Sequence, residues 1–448
     1  MDPPYRFLRV LSHYKHFFNP FLLSGVGMLS LFLIASCTGE QLQQGRDTET
    51  ADPGLENNPV VAGQDLPPDN IKSIQVYRGN RKESIPAIEL GSDDFITLRF
   101  DEIEESSRMF RIRIRHRNAD WSPSNLMQDH YLVGYREDFI SGGEPSGVQD
   151  PSYTHYRYRF PNESMRVRIS GNYLIEVLEY ESSRKLFSLP FFVYDNQGQL
   201  AFNLEEIYGM DSRYLLHHQP FVRYQYPSDI ISPTTDLRVF FVKNRFWGRA
   251  READMEDMSE SGVYRSYLSR PQAFVGIYEF RPLDMRRYDT PRREVVEVWT
   301  ETVPPKVHLF RDVVNLDVNP RRRTPAIHGS PRDDHRARYI NVRFELELPD
   351  REATELPVYV YGPFNNWTID ERHRMKYNSS TDSYVGWALI KEGEYDYKYA
   401  VVVDSRIDDL RLDASFASSS QEYISFVYFR DPRWQSDRLL QIRSDRTH

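Results

Sequence analysis

The chain has 448 residues and a formal net charge of −9, with 57 Lys and Arg against 66 Asp and Glu. A nucleic-acid-binding protein is expected to show a basic balance or stripe, so we expect no nucleic acid as a partner. The only cysteine is Cys37, which excludes a disulfide within the chain. Packed cores must therefore stabilise the folded part, and the 14% of aromatic residues supply much of their volume.

The first 36 residues have the order of a secretory signal peptide. Basic residues come first, an apolar run at 17–34 follows, and the small residues Ala35 and Ser36 precede Cys37. This order predicts an export signal. The Ile-Ala-Ser-Cys ending resembles a bacterial lipoprotein box, in which the cysteine is lipidated and becomes the mature N terminus. An uncleaved anchor and an ordinary signal with an incidental cysteine are the alternatives, since the run approaches the ~20 residues of a membrane span.

Residues 37–70 contain mostly polar residues, proline and glycine, and almost no large apolar side chains. Such a segment cannot bury enough surface to offset its ordering entropy, so we predict a disordered tether. Together with a lipid on Cys37, the tether predicts a protein anchored to the outer membrane and facing the periplasm. The membrane is then contacted through the lipid.

After the tether, the pattern is that of β-strands almost throughout. Apolar and polar residues alternate at 110–114 and 156–160, and turn-forming residues lie between such runs, as at 142–147. Short alternating strands separated by polar turns are typical of antiparallel sandwiches. We predict an all-β fold of tandem immunoglobulin-like β-sandwiches. Composition divides the chain into a first sandwich at 71–197, a second at 198–318, a polar linker at 319–336, a C-terminal sandwich at 337–432 and a tail at 433–448.

The first sandwich contains an ordered set of motifs. They are His116-Arg117-Asn118-Ala119-Asp120-Trp121, Tyr131-Leu132-Val133-Gly134-Tyr135, Phe160-Pro161-Asn162 and Ser170-Gly171-Asn172-Tyr173. In order and spacing this set resembles the N-terminal domain of type IX secretion system plug proteins of Bacteroidota. The resemblance implies a non-catalytic protein that binds the periplasmic end of the outer-membrane translocon barrel and seals it when idle.

Asn244-Arg245-Phe246-Trp247, in the second sandwich, is also similar to that family. Interface cores favour aromatic residues and arginine, so Phe246 and Trp247 are candidate contacts with the translocon. Ordinary packing inside a sandwich is the alternative interpretation of both side chains.

The C-terminal sandwich suggests a rival function. Residues 361–367 and 393–399 contain Gly-x-Phe-Asn-x-Trp and Gly-x-x-x-Tyr-Lys-Tyr patterns, similar to glycogen- and starch-binding modules. In those modules Trp367 would form one wall of a sugar platform. The alternative function is therefore a carbohydrate-binding outer-membrane lipoprotein. No aromatic residue occupies 404–408, where a second wall is expected, and Trp387 is assigned to the core.

Signals of catalysis are weak. The sequence has no Gly-x-Ser-x-Gly elbow, no His-Glu-x-x-His and no glycine-rich phosphate loop. His217 and His218 are adjacent, so on a strand they point to opposite faces. The carboxylate pairs Asp333-Asp334 and Asp408-Asp409 are typical of solvated turns. We expect no enzyme activity, no cofactor and no metal.

Overall fold

The computed structural model describes residues 55–447, apart from 57, 104–105, 149–150, 211–215, 277–279, 291–293, 315–327, 334, 349–355, 405 and 413–419. The predicted signal peptide, Cys37 and Asp334 lie outside the described residues. The described residues form one compact unit. None of the helices within these ranges is long and apolar enough to cross a membrane.

The described elements are almost all strands, so the predicted all-β fold is confirmed. In chain order the strands are Leu55–Glu56 (β1), Ile71–Arg78 (β2), Ala87–Glu89 (β3), Ile96–Glu102 (β4), Phe110–Arg117 (β5), Leu132–Gly134 (β6), Asp138–Ile140 (β7), Glu144–Pro145 (β8), Thr154–Phe160 (β9), Met165–Val167 (β10), Gly171–Glu179 (β11), Lys185–Tyr194 (β12), Gln199–Tyr208 (β13), Leu216–Gln225 (β14), Leu237–Lys243 (β15), Arg251–Glu252 (β16), Met255–Asp257 (β17), Val263–Tyr267 (β18), Phe274–Val275 (β19), Arg281–Asp284 (β20), Val295–Trp299 (β21), Lys306–Leu309 (β22), Asp312–Val313 (β23), Ser330–Pro331 (β24), Tyr339–Glu347 (β25), Val358–Tyr361 (β26), Lys376–Asn378 (β27), Ser383–Lys391 (β28), Gly393–Val403 (β29), Arg406–Asp408 (β30), Glu422–Asp431 (β31) and Ser436–Arg446 (β32). The α-helices are Gln128–Tyr131 (α1) and Pro233–Asp236 (α2), and single 3-10 turns occupy Trp247–Arg249, Arg270–Gln272, Pro363–Asn365 and Glu371–His373.

The first sandwich consists of two sheets with strand orders β2-β4-β9-β8 and β3-β12-β11-β5-β7. Strand β5 shows why the sequence folds this way, because its residues alternate between buried and half-buried along its whole length. Phe110, Ile112 and Ile114 enter the core, where they meet Leu98 and Phe100 of the opposite sheet. The outward arginines of the same strand remain in contact with water.

The middle sandwich pairs strands that are far apart in the chain. One sheet has the order β13-β14-β18-β17, and the other has the order β16-β15-β31-β32. Strands β15 and β31 are apolar on both faces because their sheet is covered on both sides. Phe241 and Val427 face the core of the middle sandwich, whereas Phe240 and Phe426 face the first sandwich.

The third sandwich has one sheet of order β21-β22-β25-β28-β27 and a second built on β29, which pairs with β20, β24, β26 and β30. Its core includes Val342 and Phe344 from the first sheet and Val360 and Tyr399 from the second.

Strand pairing differs from the predicted segment limits in three places. Strands β20 to β23, predicted within the second sandwich, pair with strands of the third. Strands β31 and β32, predicted as the end of the C-terminal sandwich and a tail, complete the middle sandwich. Strand β24, inside the predicted linker, pairs with β29. Alternation reveals a strand from local sequence, but its partner is fixed by long-range packing.

The prediction of a disordered tether is wrong for residues 58–70, which are bound to all three sandwiches. The carbonyl oxygen of Pro59 accepts a bond from the Gly248 backbone in the middle sandwich, at 2.8 Å. The Asp65 backbone N–H donates to Ser188 Oγ in the first sandwich at 2.9 Å, and Asp69 pairs with Arg372 in the third at 2.8 Å. Val61 is also buried. Backbone bonds and one buried valine hold a segment whose composition suggests disorder.

Candidate functional site

The side chain of Trp367, the candidate sugar contact, is buried between the middle and third sandwiches. The turn before it is closed by Asn365, whose side-chain oxygen accepts a bond from the Gly362 backbone at 2.9 Å. Only 7% of Trp367 is exposed. Its ring packs edge-on against Tyr361 and Phe280, with ring centroids 5.3 and 5.5 Å away. A sugar stacks on an exposed aromatic face, and Trp367 presents none.

Phe246 and Trp247, the candidate translocon contacts, lie on a tight turn after β15. Phe246 is 4% exposed and packs edge-on against Trp367 at 5.4 Å. Trp247 is half-buried and packs against Phe192 of the first sandwich at 4.9 Å. Successive residues of one turn thus contact the third and the first sandwich. Their geometry is that of packing between sandwiches, whereas the alternative given from the sequence was packing inside one sandwich.

The three aromatic candidates line one small cavity, of about 140 Å³. Pro59 and Val60 of the N-terminal segment, together with Leu189 of the first sandwich, form other parts of its wall. Nothing in the sequence indicates that these residues meet. Their convergence makes the cavity a junction of all three sandwiches.

Trp387, assigned to the core from the sequence, instead faces outward from β28 and is 36% exposed. Its indole packs against His308, with centroids 5.3 Å apart, and His308 packs against Trp299 at 3.9 Å. The assignment of Trp387 to the core is wrong because its strand has one face in solvent.

Buried charges join the first and third sandwiches in what we call the ionic junction, formed by Asp101, His155, Tyr339 and Lys391. The Asp101 carboxylate is fully buried. It lies 2.5 Å from His155 Nδ1 and accepts bonds from Lys391 Nζ and the Tyr339 hydroxyl, each at 2.7 Å. Two of these groups belong to each sandwich, so the network exists only when the sandwiches are docked.

The protonation of the ionic junction follows from its donors. Arg99 can only donate, and its Nε lies 3.0 Å from His155 Nε2. The ring proton of His155 is therefore on Nδ1, facing Asp101. Burial raises the pKa of Asp101, but the bond from His155 and the charge of Lys391 outweigh it and the pKa is lowered. Burial also lowers the pKa of Lys391, despite the opposing charge of Asp101.

The remaining polar candidates have structural partners. Asp333, expected in a solvated turn, is paired with Lys82 at 2.7 Å and Arg99 at 2.6 Å. Asp409 is fully buried and paired with Arg249 at 2.6 Å. His218 Nδ1 lies 2.6 Å from the Tyr423 hydroxyl, and burial lowers the pKa of His218 to about 3. No group of metal-ligating side chains is found among the described residues.

A groove of about 830 Å³ lies between the first sandwich and the end of β32. We call it the basic groove, after the cations in its lining: Arg78, Arg81, Lys82, Arg245, Arg443 and Arg446. Sequence reasoning missed it because these residues come from distant parts of an acidic chain. The only local signals are the basic pairs around 81 and 443–446.

The fold and these contacts define an all-β protein whose buried aromatic and charged clusters join sandwiches together. Residues 71–195 match the model of the type 9 secretion system plug protein 1st domain. These residues therefore form a first domain of the type IX secretion plug family, which confirms the resemblance seen in this part of the sequence.

A solved structure is similar to the chain over most of its length. The crystal structure of a hypothetical protein from Parabacteroides merdae ATCC 43184 has 24% identity and a TM-score of 0.75, covering 87% of this chain and 100% of that one. This likeness shows the fold. The C-terminal domain of a Streptococcus pyogenes antigen I/II-family protein has 6% identity and a TM-score of 0.15, covering 84% and 99% of the two chains, and carries no argument. No curated protein matches the chain.

Proposed function

We propose that this protein is a non-catalytic lipoprotein, anchored through Cys37, that binds the periplasmic end of the type IX outer-membrane translocon and seals it when idle. The observation that supports this function is the plug-family first domain at 71–195. A pore wide enough for folded proteins would leak small solutes, so an idle translocon needs a removable stopper. Docked sandwiches provide a body of fixed shape for that role.

The internal contacts are consistent with a stopper. The first sandwich is joined to the third by the fully buried Asp101 and to the middle one by Phe192, which is 2% exposed. A body that blocks a pore must resist deformation, and buried interfaces between its parts provide that resistance. The lipid would raise the effective concentration of the stopper at the membrane.

The carbohydrate-binding alternative depends on Trp367 as a sugar contact, and the structure buries this side chain. Trp367 is enclosed by Phe246, Phe280 and Tyr361. We therefore expect Trp367→Ala to destabilise the junction of the sandwiches, and we do not propose sugar binding at this residue.

The test has two measurements on the tagged full chain. The first is a pull-down from detergent-solubilised outer membranes, in which we expect the translocon barrel in stoichiometric amount. The second is outer-membrane permeability to a large hydrophilic dye in cells lacking the protein, which we expect to rise and to be restored by the intact gene. A variant in which residues 1–37 are replaced by a cleavable signal peptide without a lipoprotein box serves as the anchoring control, because it should be exported and bind the solubilised translocon while leaving the membrane fraction. Absence of the barrel together with unchanged permeability would refute the proposal.

A further inference from the structure

The basic groove has more positive charge than the fold requires. Six cations line it, against the carboxylates of Glu83 and Glu422, in a chain whose net charge is −9. Like charges gathered in one recess repel each other and destabilise the folded state unless something compensates them. The surplus therefore needs an explanation outside ordinary packing.

Some of these cations have internal partners and some do not. Glu422 accepts from Arg245 Nε at 2.7 Å and from Arg446 Nη2 at 3.2 Å. Lys82 pairs with Asp333, and Arg78 lies 3.7 Å from Asp94. Within the described ranges, no ion pair is formed by the side chains of Arg81 and Arg443, and both are exposed. These two arginines are available to an outside ligand.

Glu422 shows what chemistry the groove accepts. Two arginine side chains, Arg245 from the turn after β15 and Arg446 from the end of β32, converge on its carboxylate. Arginine binds carboxylates and phosphates through paired N–H donors. Arg81 and Arg443 extend the same chemistry toward the mouth of the groove.

The lining of the groove favours a protein segment over a membrane surface. Ile85, Ala87, Tyr194 and Ile442 form apolar parts of the wall between the cations. The volume of about 830 Å³ lies within the range of sites that enclose a drug-sized ligand. A chain with both acidic and apolar side chains matches this mixed lining, whereas lipid headgroups on a flat bilayer do not reach into a recess between sandwiches.

We propose that the basic groove docks an acidic segment of a partner protein, with Arg81 and Arg443 as the contacts that no internal carboxylate occupies. If the proposed function is correct, which this step assumes, the partner is the translocon. The groove is built from the first and middle sandwiches together, so docking there would engage both.

The first test is peptide binding to the purified full chain in detergent. The probe is a fluorescein-labelled ten-residue peptide of alternating glutamate and alanine, and its glutamine counterpart is the charge control. We expect salt-dependent anisotropy with the acidic peptide only, and about a tenfold or greater loss of affinity in Arg81→Glu/Arg443→Glu. Arg136→Glu/Arg184→Glu is the matched control. It makes the same charge change at exposed arginines outside the groove and should bind within about twofold of wild type.

Three outcomes would overturn the inference: no acidic-peptide binding, equal binding in the groove variant, or groove-dependent binding to anionic phosphatidylglycerol vesicles in place of the peptide. Circular dichroism should show unchanged thermal unfolding for the groove variant, since within the described ranges neither groove arginine has an ion pair to lose. The control variant loses only the exposed pairs of Arg136 with Asp129 and Arg184 with Glu179, which contribute little to stability.

Translocon recovery with the same variants separates this inference from the proposed function. Recovery by wild type and by the groove variant alike, without peptide binding, would refute the groove and leave the plug function standing. Groove-dependent peptide binding, with no translocon recovered and outer-membrane permeability unchanged in cells lacking the protein, would support recognition of acidic segments and refute the plug function.

Discussion

The first sandwich makes two contacts of opposite character with the rest of the molecule. Toward the middle sandwich it presents an apolar junction, in which Phe192 packs against Phe426 at 4.8 Å and Trp121 at 5.6 Å. Toward the third sandwich it presents the ionic junction around Asp101 and Lys391. Apolar burial is non-directional and independent of pH, whereas buried charges are stable only with every partner in place.

This difference suggests a division of roles. The apolar junction supplies net attraction, at roughly 25 cal/mol per Å² of apolar surface removed from water. The ionic junction supplies little net attraction, because desolvating two charges opposes their mutual gain. It instead penalises any other arrangement of the two sandwiches, since a shifted interface would leave Asp101 or Lys391 buried without its partner.

The largest effect should come from breaking the ionic pair. Lys391→Met leaves the Asp101 carboxylate buried without its cation, and we expect a loss of about 4 kcal/mol in unfolding free energy, measured by urea denaturation. Asp101→Asn/Lys391→Met removes both charges and should recover half or more of that loss. Equal losses in the single and double variants would contradict a role in specificity.

Truncation at the apolar junction should have a slightly smaller effect. Phe192→Ala removes a side chain that is 2% exposed and contacts Trp121, Trp247 and Phe426. We expect a loss of about 3 kcal/mol from the lost transfer energy and the cavity left behind. Unlike the ionic variants, Phe192→Ala should lose the same unfolding free energy at pH 4 and at pH 7. A pH-dependent loss would contradict the claim that the apolar junction is independent of pH.

Much of this architecture could be predicted from the sequence, but the junctions could not. Alternation in β5 gave its inward and outward faces correctly. The apolar runs of β15 and β31 marked buried strands without showing that each contacts two cores. The carbohydrate alternative required Trp367 at the surface, and Trp387 was assigned to the core. The structure buries Trp367 and exposes Trp387, because exposure depends on which sandwich covers a face.

The charged sites could not be predicted from local sequence either. Asp101 lies on the face of β4 opposite the core residues Leu98 and Phe100. Lys391 lies at the end of β28, so local sequence predicts neither charge as buried. Their pairing joins residues from different sandwiches. Arg81 and Arg443 likewise meet at one groove only because β32 returns beside the first sandwich. Local patterns specify strands and faces, and the contacts between sandwiches specify the sites.

A smaller effect, on the free energy of unfolding as the pH is lowered, should distinguish the ionic junction from the apolar junction. The folded-state pKa of Asp101 lies below its unfolded value because His155 and Lys391 outweigh the effect of burial. The unfolded state therefore binds more protons as the pH falls below about 4, and the stability contributed by ionised Asp101 is lost as the pH passes through the folded pKa. We expect a steeper loss of stability from pH 5 to pH 3 in wild type than in Asp101→Asn/Lys391→Met. Parallel curves would show that the ionic junction does not titrate in this range.

The smallest effect should come from the N-terminal segment at 58–70, which contacts all three sandwiches. A side chain on Gly248 would overlap the carbonyl oxygens of Asn58 and Val60, so Gly248→Ala should displace the start of this segment. The residues after it keep their own bonds to Ser188 and Arg372. We therefore expect a loss of only about 1 kcal/mol, together with faster limited proteolysis between residues 58 and 70. Gly142→Ala is the matched control, since its new methyl group would meet only Ser107 Oγ at 3.4 Å. Unchanged proteolysis in Gly248→Ala would mean that contacts with the first and third sandwiches are enough to hold the segment. The apolar junction would then form without the bond between Pro59 and Gly248.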